Sequence, residues 1–134
     1  MTMVLSAMLS VPALAGGTAA PDGATAYILS PENGATVTSP VTVRFGLSGM
    51  GVAPAGVERA KTGHHHLLID VDQLPDLTKP IPGDEHHRHF GGGQTEVVLE
   101  LAPGQHTLQL LLGDHTHVPH NPPVLSEPVT ITVK

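Results

Sequence analysis

Cysteine is absent from all 134 residues of the chain. Disulfide bonds, thiolate nucleophiles, zinc fingers and copper sites with a cysteine ligand are therefore excluded. The chain also has no tryptophan, one tyrosine and two phenylalanines. Because 40% of the residues are nonetheless hydrophobic, a core is expected to consist mainly of valine, leucine and isoleucine.

Positive charge is also scarce, since six Lys and Arg residues face twelve Asp and Glu residues, for a formal net charge of −6. The six cations are scattered along the chain and form no basic stripe that could neutralise phosphates, so nucleic acid is not a predicted partner. After the N-terminal segment, no apolar run approaches the roughly 20 residues of a membrane span. We therefore predict no membrane span in the mature protein.

The N-terminal segment MTMVLSAMLSVPALA is apolar and ends in Ala13-Leu14-Ala15, a small-x-small pattern typical of signal-peptide cleavage sites. No Lys or Arg precedes Arg44, so the usual positive start is missing, and a disordered segment or a core-packing strand is the alternative. We predict a signal peptide over residues 1–15 with a truncated start, a flexible linker over residues 16–24, and a periplasmic or secreted location.

The rest of the chain is predicted to form short strands. Its 15 glycines and 13 prolines favour turns over long helices. In VTVRFGL, residues 41–47, apolar and polar side chains alternate, as in a half-buried strand. Residues 95–112 are predicted to form a hairpin that turns at Ala102-Pro103-Gly104. About seven such strands predict one all-β domain over residues 25–134, an antiparallel β-sandwich of immunoglobulin-like or Greek-key type.

Nine of the ten histidines fall in three clusters, and each cluster contains the pattern H-x-H. The clusters are His64, His65 and His66; His86, His87 and His89; and His115, His117 and His120. On an extended strand, residues i and i+2 point to the same face about 6–7 Å apart, so two such rings can converge on one ion. Asp84 and Asp114 introduce two of the clusters, either as turn residues or as acceptors that orient an imidazole.

These patterns predict a metal site at one rim of the sandwich. Its candidate ligands are His64, His66, His87, His89, His115, His117 and His120. Imidazole ligation without thiolate suits copper or zinc, and the sequence does not choose between them. One alternative is that the histidines merely lie in polar loops. The other is a pH-sensing cluster, because crowded imidazoles titrate near neutrality.

Three further features of the sequence bear on this site. His65 shares a strand face with Leu67, and His106 shares one with Leu108, so both are predicted to be packed rather than ligating. The run Gly91-Gly92-Gly93 lacks the Lys-Ser/Thr of a phosphate-binding loop. We expect these glycines to let the backbone pass close to the histidines.

Five longer segments within residues 25–133 have specific sequences: MGVAPAGVE, TGHHHLLID, HRHFGGGQTE, LAPGQHTLQLLLGDHTHVPH and PPVLSEPVTITV. Together they resemble the domain of unknown function 4399 family of short exported bacterial proteins. The resemblance implies a secreted single-domain β protein. It supplies no established role for the histidine motifs.

Three functions fit these observations. The favoured one is an exported periplasmic protein that binds copper or zinc for storage, transfer or tolerance. The second is a metal-dependent enzyme with a histidine-ligated copper or zinc site, although no carboxylate stands out as catalytic. The third is an envelope adhesion or assembly module in which the histidines stabilise loops.

Overall fold

The structure, a computed structural model, describes residues 18–134, and the regular secondary structure in this range is entirely β. The strands are β1 (Thr25–Ser30), β2 (Thr36–Val37), β3 (Val41–Ser48), β4 (Gly51–Val52), β5 (Thr62–Ile69), β6 (His87–His89), β7 (Glu96–Leu99), β8 (Gly104–Gly113) and β9 (Val129–Val133). The predicted signal peptide lies outside the described residues. Among residues 18–134, no helix is long and apolar enough to cross a membrane.

The strands form two sheets. The smaller sheet has the order β1-β3-β7, and the larger has the order β2-β9-β8-β5-β4, with β6 also paired to β5. The long strands pair antiparallel, whereas the two-residue strands β2 and β4 pair parallel with β9 and β5. This arrangement confirms the predicted all-β sandwich.

The main core lies between the two sheets and is largely aliphatic. Strand β3 buries Val41, Val43 and Phe45, which confirms the inward face predicted from alternation. Leu108, Leu110 and Leu112 of β8 belong to the same core cluster. Because apolar side chains of both sheets share this cluster, their burial holds the layers together.

The predicted hairpin over residues 95–112 is wrong. Strand β7 pairs with β3 in the smaller sheet, whereas β8 pairs with β5 and β9 in the larger one. The turn before Gly104 therefore carries the chain from one sheet to the other. Both strands still bury one face in the same core, through Leu99 and Leu108, and alternation alone does not distinguish pairing within a sheet from packing across a core.

Strand β5 is buried on both faces. On one face, Leu67 and Ile69 belong to the main core, and the ring of His65 contacts Phe45 in that core. On the other face, Leu68 packs with Ile81 and Leu111 in a second, smaller cluster. Since successive side chains of a strand alternate between faces, His64 and His66 lie on the same outer face as Leu68. The site is built on this outer face of the larger sheet.

The described part of the predicted linker runs beside the loop that follows β8. The Ala20 N–H donates to the Asn121 carbonyl at 3.0 Å, and the Asn121 N–H donates to the Thr18 carbonyl at 2.9 Å. The Thr18 hydroxyl also donates to Asp114 at 3.0 Å. These bonds place residues 18–20 next to the segment that carries the third histidine cluster.

Candidate metal centre

Two buried histidines of β5 form the inner side of the site. His64 and His66 are 0% and 1% exposed, and their ring centroids are 4.8 Å apart. Gly113 of β8 pairs with His64. A Cβ at Gly113 would lie 2.7 Å from Cε1 of His66, so glycine is required there for the ring to fit against the sheet.

Strand β6 brings His89 beside this pair. In the β5–β6 ladder, His66 is opposite His89, and their ring centroids are 5.1 Å apart. A Cβ at Gly91 would collide with the ring of His89, and Gly93 has a left-handed φ of 82°. The glycine run therefore allows close backbone approach to the histidines, as expected from the sequence.

The fourth histidine is held by the turn that follows β8. His117 has a left-handed φ of 68°. One oxygen of Asp114 accepts hydrogen bonds from the Thr116 N–H at 2.9 Å, the Thr116 hydroxyl at 2.7 Å and the Val118 N–H at 3.1 Å. Asp114 thus positions His117 through the backbone of the turn rather than through the imidazole.

These four histidines, His64, His66, His89 and His117, are called the four-histidine group below. Each offers one ring nitrogen, and the four nitrogens lie within 4.8 Å of one another. The distance from Nε2 of His64 to Nδ1 of His117 is 3.1 Å. Donors bound tetrahedrally at about 2.0–2.1 Å lie about 3.3 Å apart, so small ring movements would suffice. The group could hold a metal ion.

Burial and crowding keep three imidazoles of the group neutral, those of His64, His66 and His89. Burial, with smaller effects from His89 and His117, lowers the pKa of His64 from 6.5 to about 4. Burial also lowers the pKa of His66 to about 3, and burial with the neighbouring His117 lowers the pKa of His89. At neutral pH these rings therefore keep the free lone pair that metal coordination requires.

Two nitrogens of the buried pair have no hydrogen-bond partner in the protein. They are Nδ1 of His64 and Nδ1 of His66. An unsatisfied buried polar group costs about 1–3 kcal/mol of stability. His65 and His120, which lie outside the group, also have buried nitrogens without a partner, so the convergence of the four rings, rather than the missing partners, distinguishes the group.

His87 is a predicted ligand that lies outside the group. It shares the face of His89, but the ladder places it opposite Leu68, one step farther from His64. Its Nδ1–H donates instead to Oδ1 of Asp84 at 2.8 Å. Asp84 therefore does orient an imidazole, although that imidazole is not in the group.

His115 and His120 also lie outside the group. Nε2 of His115 is 3.8 Å from Oε2 of the exposed Glu58. His120 is buried, and its Nε2–H donates to the Thr62 carbonyl at 3.2 Å. The i, i+2 rule applies to extended strands, but His115 and His117 lie in a turn. Each of the three clusters still supplies at least one member of the group.

The two histidines predicted to be packed are also separate from the group. His65 is 1% exposed, with its ring centroid 5.1 Å from that of Phe45 in the sandwich core. Nδ1 of His106 donates to Oδ2 of Asp70 at 2.7 Å, and its Nε2 donates to the Ala102 carbonyl at 2.7 Å. The bonds to Ala102 and Asp70 raise the pKa of His106.

A cavity of about 190 Å³ opens beside the group. It is lined by His66, His89 and His117 on one side and by Ile81, Pro82 and Gly83 on the other. His89 is exposed and His117 is half-buried, so the group reaches solvent here, with His64 and His66 behind them. Sequence reasoning missed the wall at residues 81–83, because apolar and glycine residues in a loop carry no chemical signal.

The fold and the site define the chain as an all-β sandwich with a histidine group that could hold a metal ion. The family model described as Domain of unknown function (DUF4399) matches residues 43–134, which include all four histidines. The chain belongs to this family, as its sequence segments predicted. Searches of curated proteins and of solved structures gave no match. The site therefore carries the information about function.

Proposed function

We propose that this chain is an exported periplasmic protein that binds copper or zinc at the four-histidine group, for metal storage, transfer or tolerance. The observation that carries the proposal is the convergence of four imidazole nitrogens within 4.8 Å. They come from three segments that are distant in the chain. Imidazole nitrogen is a preferred donor for both metals.

The burial of the group supports metal binding over a merely polar loop. Solvated loop histidines would keep their ring nitrogens in water, whereas Nδ1 of both His64 and His66 is buried without a partner. The free energy of metal binding would offset the cost of holding these rings together, because a ligand that binds only the folded state stabilises it.

The donor set narrows the choice of metal. The group offers nitrogen alone, which suits Zn(II) and Cu(II), whereas Cu(I) is selected by thiolate or thioether sulfur. Met50 packs against the main core instead of the group. We therefore expect divalent ions to bind more tightly than Cu(I).

The periplasmic location rests on the N-terminal sequence. Residues 1–15 have the apolar run and the small-x-small ending of a signal peptide. If the chain is exported by this route, mass spectrometry of protein from the periplasmic fraction will show a mature chain that begins at Gly16. Recovery of uncleaved protein only from the cytoplasmic fraction would contradict export.

The decisive test is metal affinity of untagged protein, measured by competition with a chromophoric chelator. We expect one Cu(II) or Zn(II) per chain, and a loss of affinity of at least about tenfold in His89→Gln and His117→Asn, since each removes a donor. His89 is exposed, and asparagine tolerates the left-handed φ of His117, so both variants should fold.

The chain provides matched controls in His87→Gln and His115→Gln. Both belong to the same sequence clusters but lie outside the four-histidine group, so their metal affinity should equal that of the unmodified protein. The proposal would be refuted if the unmodified protein retained neither Cu(II) nor Zn(II) at micromolar concentration. Equal losses of metal affinity in the control variants and in the group variants would also refute the proposal, because binding would then depend on histidines outside the group as much as on those within it.

A further inference from the structure

The cavity beside the four-histidine group has a defined wall. Ile81 is 7% exposed, and its N–H donates to the His117 carbonyl at 2.8 Å. The 81–83 segment is therefore tied to the turn that carries one of the four donors. The cavity volume of about 190 Å³ exceeds the roughly 30 Å³ that a water molecule takes in the liquid, so a small ligand fits.

The charge of the group favours an anion in this cavity. Neutral imidazoles contribute no negative charge, and the group contains no carboxylate among the residues that the structure describes. The carboxylate of Asp114 acts electrostatically on His64, but its single negative charge offsets only half of the charge of a divalent ion. A divalent ion held by the group would therefore keep excess positive charge in a partly buried place, where attraction for an anion is stronger than in water.

We propose that the metal-loaded four-histidine group binds a small monovalent anion, such as hydroxide, azide or a halide, which reaches the metal from the cavity bounded by Ile81, Pro82 and Gly83. The inference rests on the proposed function, because the metal supplies the charge. The anion donates one electron pair to the metal, and no oxidation state changes. Three donors line the cavity while His64 lies behind them, so an anion on this side would be a fifth ligand of the metal, added to the four imidazole nitrogens.

The test uses the full untagged chain loaded with one Cu(II) and titrated with sodium azide. We expect a saturable azide-to-copper charge-transfer band and a changed electron paramagnetic resonance spectrum, at one azide per copper. Dialysis after the titration should show that the copper is retained. An unchanged spectrum at large azide excess would overturn the inference, and so would release of copper by azide.

The position of the anion is tested by filling the cavity at Gly83. An added Cβ there meets no atom within 4 Å, so the series Gly83→Ala, Gly83→Val and Gly83→Leu adds bulk step by step, starting from open space beside the cavity. We expect Cu(II) affinity to stay constant while azide affinity falls along the series, by tenfold or more in Gly83→Leu. The control Val98→Leu adds bulk to an exposed position of the other sheet and should leave both affinities unchanged.

The outcomes separate the two proposals. Failure of the unmodified chain to bind Cu(II) and Zn(II) alike would refute the metal-binding function itself. Tight copper binding with no azide response would refute only the anion site. Equal azide affinity across the Gly83 series would overturn entry through this cavity, because the added side chains would then not meet the anion.

Discussion

At the scale of single residues, Asp114 positions one member of the four-histidine group, His117, without belonging to the group. It is 4% exposed. Burial would raise the pKa of its carboxyl, but hydrogen bonds from Thr116, Val118 and Thr18 outweigh burial and lower that pKa. The carboxylate therefore stays ionised and holds the turn in which His117 adopts its left-handed φ.

We predict that Asp114→Asn weakens metal binding by about tenfold or more, as is typical when a residue that supports a ligand is replaced. The amide removes the charge and replaces one acceptor oxygen with a donor, so the turn that presents His117 loosens. Chelator competition measures the change. Asp84→Asn is the matched control, because Asp84 supports His87 outside the group. Similar affinities in the two variants would contradict a positioning role for Asp114.

At the scale of the secondary-structure elements, the site depends on close packing between β5, β6 and the turn after β8. Gly113 of β8 lies close to two of the donor residues, since a Cβ there would lie 2.7 Å from Cε1 of His66 and 3.3 Å from Cα of His117. One glycine thus spaces two of the donors, which belong to different elements.

We predict that Gly113→Ala lowers the free energy of unfolding by about 1–3 kcal/mol, the usual cost of overpacking, and also weakens metal binding. Both effects follow because the ring of His66 and the backbone of His117 must move apart. Urea unfolding and metal competition measure them. Gly83→Ala, where the added Cβ meets no atom within 4 Å, should change neither quantity. Unchanged stability and affinity in Gly113→Ala would show that the spacing is not critical.

At the scale of the whole molecule, buried neutral histidines make stability depend on pH. Burial lowers the pKa of both His64 and His65 from 6.5 to about 4, and that of His66 to about 3. Between pH 6.5 and these values, the unfolded chain binds more protons than the folded one. The free energy of unfolding therefore falls as the pH is lowered through this range.

We predict that the metal-free protein, kept in a chelator, is less stable at pH 5 than at pH 7.5 in urea unfolding. The expected slope is about 1.4 kcal/mol per pH unit for each histidine that must stay neutral in the fold. His106 acts in the opposite direction, because its raised pKa stabilises the fold at low pH, but it is one residue against four, since the pKa of His89 is also lowered. Equal stability at the two pH values would contradict the prediction.

Local sequence patterns identified much of this architecture and all four members of the histidine group. Alternation located the inward face of β3, and the H-x-H spacing selected His64 and His66 correctly as neighbours on one face. The same spacing included His87, which the β5–β6 register places opposite Leu68. It also included His115, which lies in a turn where strand alternation does not apply.

The sequence by itself determined the β class, the inward face of β3 and the supply of imidazoles, because alternation and composition are local properties of the chain. Only the tertiary structure decided that β7 and β8 join different sheets, and that His64, His66, His89 and His117 meet beside the cavity at Gly83. Strand partner, register and loop placement depend on contacts between residues distant in the chain, and a two-residue period is the same for every partner a strand could have.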